Sequence, residues 1–491
     1  MGWEDPDPAD VVSLLRTDDW ENLRGRYDPN LLARPLERCL EVVRSSGARS
    51  AVIETRYLDL DYRSEYSSFF SKTFAEIPDT AHRLHFFEAD IATEELVALS
   101  ELARSSYLGY MTIRPSSLGR VGRTVLAPPP DLKDAVHTAV RDTVSFFGQA
   151  LEVRGAPFAQ QDTQFGRCAH VAAWICHYTA YLRGDVMRRP MADFSLFADA
   201  NVAEGRPLPS EGLTGLQLSN LMRDFGLPPI VYRMGYLPGS GQEPPLPPHD
   251  SDDDPGTWDT RAIAVICRFL NSAYPVLVGT HEHAFVIIGY RREVRNGDHW
   301  IGFVRHDDQR GPYLEINDIL HDVDPDSGYS YSPWQLLLAP VPDKLWLLPE
   351  AAERTGRELL LRYDVLAGSG TFEHLREAGR LAFRTTAMKS SFYKERAVTR
   401  GLDDESMREL RLARFSRLVW VVEAVDREAR AAGRPCVIGE VVFDSTSSDV
   451  SPNVLALRVP GALLIHQTDG TIRSPLPATT EAVTSAARYQ P

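Results

Sequence analysis

One change of hydrophobic period, between residues 151 and 340, constrains this chain most. Cys168, Val171, Ile175, Tyr178 and Leu182 recur at spacings of three and four, which predicts a helix over Cys168–Leu182 with Gly184 just past its end. A second helix is predicted over Leu216–Phe225, stopped by Gly226 and Pro228, and a third over Arg261–Leu270. Strand character follows at Val276–Val278, Ala284–Tyr290, Trp300–Val304 and Tyr313–Ile316. Helices first and strands after, within one stretch, point to an α+β domain of two lobes.

At 491 residues the chain is long for one domain. The expected division is 1–150, an α+β region of unknown role; 151–340, the core just described; and 341–491, a second α+β region of unknown role. In the first region strands are expected at Ala51–Ile53, Tyr57–Tyr62 and Tyr107–Ile113, and a helix near Leu132–Phe147 after three prolines. In the last, a long helix is expected near Asp404–Ala432, followed by strands Val437–Phe443, Val454–Val459 and Ala462–His466 and a hairpin-like turn at Thr468-Asp469-Gly470. Pro238–Gly256, rich in proline and aspartate, reads as a solvated loop.

Composition narrows the function classes. Against 53 Lys and Arg stand 68 Asp and Glu, a net charge of −15. A polyanion-binding protein should carry a basic face, so nucleic acid is not an expected partner. The five cysteines are odd in number and scattered, unlike a disulfide framework. The start, Met1-Gly2-Trp3-Glu4-Asp5-Pro6, lacks the apolar core of a signal peptide, and Pro6 breaks the myristoylation pattern. No apolar run approaches the ~18 residues of a membrane span. The expectation is a cytoplasmic protein with no membrane partner.

The chemistry concentrates in Gln160-Gln161-Asp162-Thr163-Gln164-Phe165-Gly166-Arg167-Cys168-Ala169-His170. This places a cysteine in the first turn of a predicted helix, where free N–H groups and the helix dipole favour a thiolate. A glutamine amide nearby can donate to the oxyanion formed when that thiolate attacks a carbonyl. The candidate base is His283, at the start of the apolar run Ala284–Tyr290. The following strand ends in His306-Asp307-Asp308-Gln309-Arg310-Gly311, offering a carboxylate to orient the imidazole.

With these residues the stretch from about 150 to 320 resembles the papain-like cysteine peptidase superfamily, closest to its bacterial branch of bacteriocin-leader peptidases. The resemblance rests on the glutamines before Cys168, on Gly212-Leu213-Thr214 opening the next helix, on His283-Ala284 leading into Val286-Ile287-Ile288-Gly289-Tyr290, and on the Asp307-Asp308…Gly311 turn. It implies a two-lobed core, with a Cys-bearing helix packed on an antiparallel sheet that carries His and Asp. It also implies Cys168 as nucleophile, His283 as base, Asp307 as orienting acid and Gln161 as oxyanion donor. Asp308, Gln160 and Gln164 are alternatives for the last two roles. Ala169 stands where the family commonly has glycine.

The implied activity is a thiol hydrolase that cleaves a peptide or isopeptide bond in a protein or peptide substrate through an acyl-enzyme, without a cofactor. Transfer of the acyl group to an amine, as in transglutaminases, uses the same triad. A non-catalytic scaffold on the same fold is a third reading. His281, His283, His306, Asp307 and Asp308 are all possible metal ligands, but neither an HExxH motif nor a cysteine pair at zinc spacing is present, so no metal is expected. The segment Arg114–Leu126, with Arg114, Arg120 and Arg123, fits no phosphate-binding pattern and reads as a surface loop.

Overall fold

The computed structural model describes residues 9–28, 30, 33–115, 120–162, 167–202, 212–233, 258–295, 298–317, 322–324, 327–396, 402–466 and 472–476. Pro238–Gly256 (the expected solvated loop), the turn at 468–470, Gln164 and residues 116–119 of the Arg114–Leu126 segment lie outside them. Two compact units divide the chain: Met1–Glu243 with Tyr274–Pro342, and Pro244–Ala273 with Asp343–Tyr489.

The first unit holds two antiparallel sheets. Strands β1 (Ala9–Ser13), β2 (Ser50–Tyr57), β3 (Ala81–Phe87), β4 (Tyr107–Ile113), β5 (Val121–Leu126), β6 (Val140–Phe146) and β7 (Gln149–Phe158) form one, in the order β1-β2-β3-β4-β5-β7-β6. Strands β8 (Pro229–Arg233), β9 (Val276–Gly279), β10 (Ala284–Arg295), β11 (Asp298–Asp307), β12 (Gly311–Ile316) and β13 (Leu336–Pro340) form the other, in the order β12-β11-β10-β9-β13-β8. The long β10–β11 hairpin, paired from Val286↔His306 to Arg295↔Asp298, brings the candidate base and acid onto neighbouring strands.

The two sheets and the Cys168–Leu182 helix share one apolar core running from Leu14 to Leu338. Residues 150 and 151, where the sequence suggests a domain boundary, lie inside β7. The sheets meet where Val136 bridges to Gly289 and the Ile288 carbonyl accepts from the His137 and Thr138 amides. A Cβ on Gly289 would sit 2.0 Å from the Ala135 carbonyl oxygen, so only glycine allows this approach. The Tyr313 hydroxyl ties β12 into the first sheet, donating to the Leu126 carbonyl at 2.6 Å and accepting from the Ala156 amide at 3.0 Å.

Several expected elements change identity. Leu132–Phe147 is not a helix. Its second half is β6, in which Val140, Asp142, Val144 and Phe146 point inward, and a tight turn with positive φ at Phe147 and Gly148 returns the chain into β7. Tyr57–Tyr62 is not a strand. Asp59 accepts from the Asp61 and Tyr62 amides and caps a helix, Leu60–Ser68. Val121–Leu126, expected as part of a surface loop, is instead strand β5, buried along its length. Arg114 Nη1 donates to both Glu65 carboxylate oxygens, and Arg123 holds Asp59, all within the interior.

The second unit is an antiparallel meander of β14 (Leu381–Lys389), β15 (Leu418–Asp426), β16 (Val437–Asp444), β17 (Val454–Val459), β18 (Ala462–His466) and β19 (Ile472–Leu476). The Pro349–Leu366 helix packs on it. The expected long helix is absent. A short one, Asp404–Leu412, ends before β15, whose nine residues are all buried. The Trp258–Asn271 helix, assigned to the central region on sequence, belongs to this second unit, where Arg268 pairs with Glu353 at 2.6 and 3.1 Å.

Candidate active site

Cys168 is the first residue of its helix, after Arg167 in extended conformation, and the Arg167 amide is taken up by His170 Nδ1 at 3.2 Å. Ala169 to Ala180 are buried without a break, so this is a central helix clad on every side rather than an amphipathic one. Cys168 alone of the five cysteines is only partly buried. The helix thus presents one thiol at its amino end and seals the rest.

His283 closes the tight connection between β9 and β10. Its carbonyl accepts from the Thr280 amide at 2.9 Å, its own amide donates to Thr280 Oγ1 at 3.2 Å, and His281 and Glu282 are left exposed at the tip. The imidazole Nε2 lies 3.1 Å from Asp307 Oδ2, and the neighbouring Cys168 thiol is among the groups that raise the ring's pKa. Tyr331 tilts against the same ring, with centroids 5.6 Å apart. Cys168 and Asp307 thus both act on the His283 ring.

Asp307 is completely buried at the end of β11. Its Oδ1 accepts from the Gln309 amide at 3.0 Å, which forms the turn into β12, and Arg305 Nε lies 4.0 Å from its Oδ2. Arg305 sits two positions earlier, hence on the same face of the strand, and is itself held by Asp322 at 2.6 Å. The Gln309 side-chain amide comes within 3.4 Å of His283 Nδ1. Neither Arg305 nor Gln309 was among the sequence candidates, although two-residue alternation along β11 could have pointed to Arg305.

The electrostatics follow from burial and pairing. Burial works against a charged imidazole, but hydrogen bonds to Asp307 and Cys168 and the charges of Asp307 and Asp308 outweigh it, pushing His283 up to about 11. Burial likewise works against the Asp307 charge, yet its bond to His283 keeps its carboxyl below the usual range. For Asp308 the His283 charge gives less relief: burial first, and the Asp307 charge with it, push it up to about 8, and neither of its oxygens has a hydrogen-bond partner among the described residues. Of the two aspartates, Asp307 holds the imidazole; Asp308 Oδ1 stays 3.9 Å from Nε2.

The other candidates separate on geometry. Gln160 is used structurally: its Oε1 accepts from the Val121 amide, and its carbonyl accepts from buried Arg114 at 2.7 Å. Gln161 is half-buried and makes no hydrogen bond among the described residues. His306 is buried with Nδ1 3.0 Å from the Pro157 carbonyl and its ring edge-on to Phe158 and Tyr313; burial pulls it down to about 3, so it is a neutral packing residue.

The turn carrying Asp307 is also gripped from the amino-terminal region. Arg38, on the Arg34–Ser45 helix, donates to the Pro312 and Tyr313 carbonyls at 3.2 and 2.8 Å. Gly311 has φ +124°, and a Cβ there would meet the Arg38 side chain at 2.5 Å.

The fold is mixed α and β with antiparallel sheets, and no helix among the described residues is long and apolar enough to cross a membrane. No family model, curated protein or solved structure matches the chain.

Proposed function

We propose that the chain is a thiol hydrolase of the papain-like kind, acting on a peptide or isopeptide carbonyl. The observation that carries this reading is the single imidazole that hydrogen-bonds a buried carboxylate and whose pKa is raised by the thiol at a helix amino end. In this reading Cys168 attacks the carbonyl as thiolate and the proton rests on His283. The oxyanion is held by the free N–H at the head of the Cys168–Leu182 helix and by the Gln161 amide. The imidazolium gives its proton to the leaving amine, an acyl-enzyme forms, and water releases it with His283 as base. Asp307 fixes the ring orientation and stabilises the imidazolium without taking its proton.

The test is site-resolved alkylation with limiting iodoacetamide from pH 5 to 9, on the wild type and on His283→Ala. Cys39, Cys176, Cys267 and Cys436 are buried and serve as internal controls. Fast labelling of Cys168 near pH 6, abolished in His283→Ala, is expected. Labelling that rises only near the free-thiol value of about 8.5 would remove the thiolate–imidazolium pair and the hydrolase with it.

A further inference from the structure

Two buried carboxylates face one imidazole nitrogen here, whereas holding the ring needs only one. Asp307 Oδ2 lies 3.1 Å from His283 Nε2 and Asp308 Oδ1 lies 3.9 Å from it. One donor atom from each of the three residues falls within 4.8 Å of the others. Asp308 is 3% exposed, yet both its oxygens lack a hydrogen-bond partner among the described residues, which costs stability unless something supplies one. Asp307 meets its own needs through His283 and the Gln309 amide. A zinc ion with bonds of about 2.0–2.2 Å in a tetrahedron separates its ligand atoms by roughly 3.3–3.6 Å. The two measured separations bracket that spacing.

We propose that His283 Nε2, Asp307 and Asp308 form an inhibitory zinc site at the imidazole. One nitrogen and two carboxylate oxygens suit Zn²⁺, and the two aspartates balance its charge. Binding displaces the Nε2 proton, and that of Asp308 when it holds one, to solvent; it leaves the fourth coordination position to water. The ring is then neutral with its remaining proton on Nδ1, and it can neither accept a second proton nor readily give up the first. The ion thereby takes the base out of the proton-transfer cycle without touching the thiol. This shares the His283–Asp307 pair with the hydrolase reading but does not depend on any chemistry at Cys168.

The experiment is isothermal titration of the chelator-treated full chain with ZnCl₂, in the wild type, Cys168→Ser and Asp308→Asn. X-ray absorption at the zinc edge is recorded on the loaded wild type. One zinc per chain is expected, with wild type and Cys168→Ser binding alike and Asp308→Asn at least tenfold weaker. The spectrum should show nitrogen and oxygen neighbours only. Sulfur in the first shell, loss of binding in Cys168→Ser, or equal binding by Asp308→Asn would each place the ion elsewhere and overturn the proposal. Absence of stoichiometric binding by the wild type at micromolar zinc would overturn it too. The absorption spectrum decides the question even if Asp308→Asn fails to fold. Failure of the alkylation test with success here would remove the hydrolase and leave the metal site.

Discussion

Asp307→Asn isolates what one buried carboxylate does for His283. The substitution keeps the shape and removes the charge that faces Nε2 at 3.1 Å. Both side chains are almost wholly buried, so solvent does little to screen the interaction. A neighbouring opposite charge typically shifts a group by about 1–3 units, or about 1.4–4 kcal/mol at 1.36 kcal/mol per unit. The His283 midpoint should accordingly fall from about 11 to about 8–10 in the variant. The sign for stability follows from the raised value. His283 contributes fully below its ordinary value of about 6.5, and the contribution is lost as pH rises through about 11. Wild type and variant should thus differ by a constant amount up to the variant's own midpoint, and the gap should close above it. Asp307, held below the usual carboxylate range, adds stability that is lost only as pH falls below about 4. The assay is a pH titration of ¹⁵N-histidine-labelled protein by NMR, paired with urea unfolding at each pH. An imidazole midpoint unmoved in Asp307→Asn would refute the reasoning, as would a stability gap that widens above pH 8.

Other expectations separate neighbouring roles. Gln161→Ala should lower turnover on a cleavable peptide by about 10²–10³ at constant fold, whereas Gln160→Ala should act on stability through its lost bond to Val121; equal kinetic effects would contradict the assignment. Gly289→Ala should cost about 1–3 kcal/mol in urea unfolding, because the new methyl meets the Ala135 carbonyl, and an unchanged midpoint would mean the two sheets do not meet as described.

The site was more legible than the fold around it. Cys168–Leu182 was readable because its period, its stop at Gly184 and the cysteine at its head agree. The His283 strand showed itself as an apolar run, and the Asp307 turn by its Asp-Asp-Gln-Arg-Gly composition. The choice between Asp307 and Asp308 was not readable, because it depends on which carboxyl reaches Nε2 by a margin of under an ångström. In β6 an inward Asp142, satisfied by the Tyr110 hydroxyl at 2.6 Å, interrupted the apolar alternation and hid the strand. In β15 the run Leu418-Val419-Trp420-Val421-Val422 is buried on both faces, so it carries no two-residue period and its spacings imitate a helical stripe. Its β-branched content was the better signal. Arg114 and Arg123 looked like loop residues because their acidic partners, Glu65, Asp59 and Asp61, sit far away in sequence.

Arg38 ties the amino-terminal region to the candidate site. Its guanidinium grips the two carbonyls that follow Gly311, five and six residues after the aspartate that steadies the imidazole. A gene cut at residue 150 would remove that grip, strip β7 of its neighbour β5, and take away the backbone that crosses at Gly289. The candidate site is therefore no cassette that can be lifted out and grafted elsewhere. The amino-terminal sheet and the strands that carry His283 and Asp307 form one folding unit, and the Arg34–Ser45 helix is part of what holds the turn after Asp307.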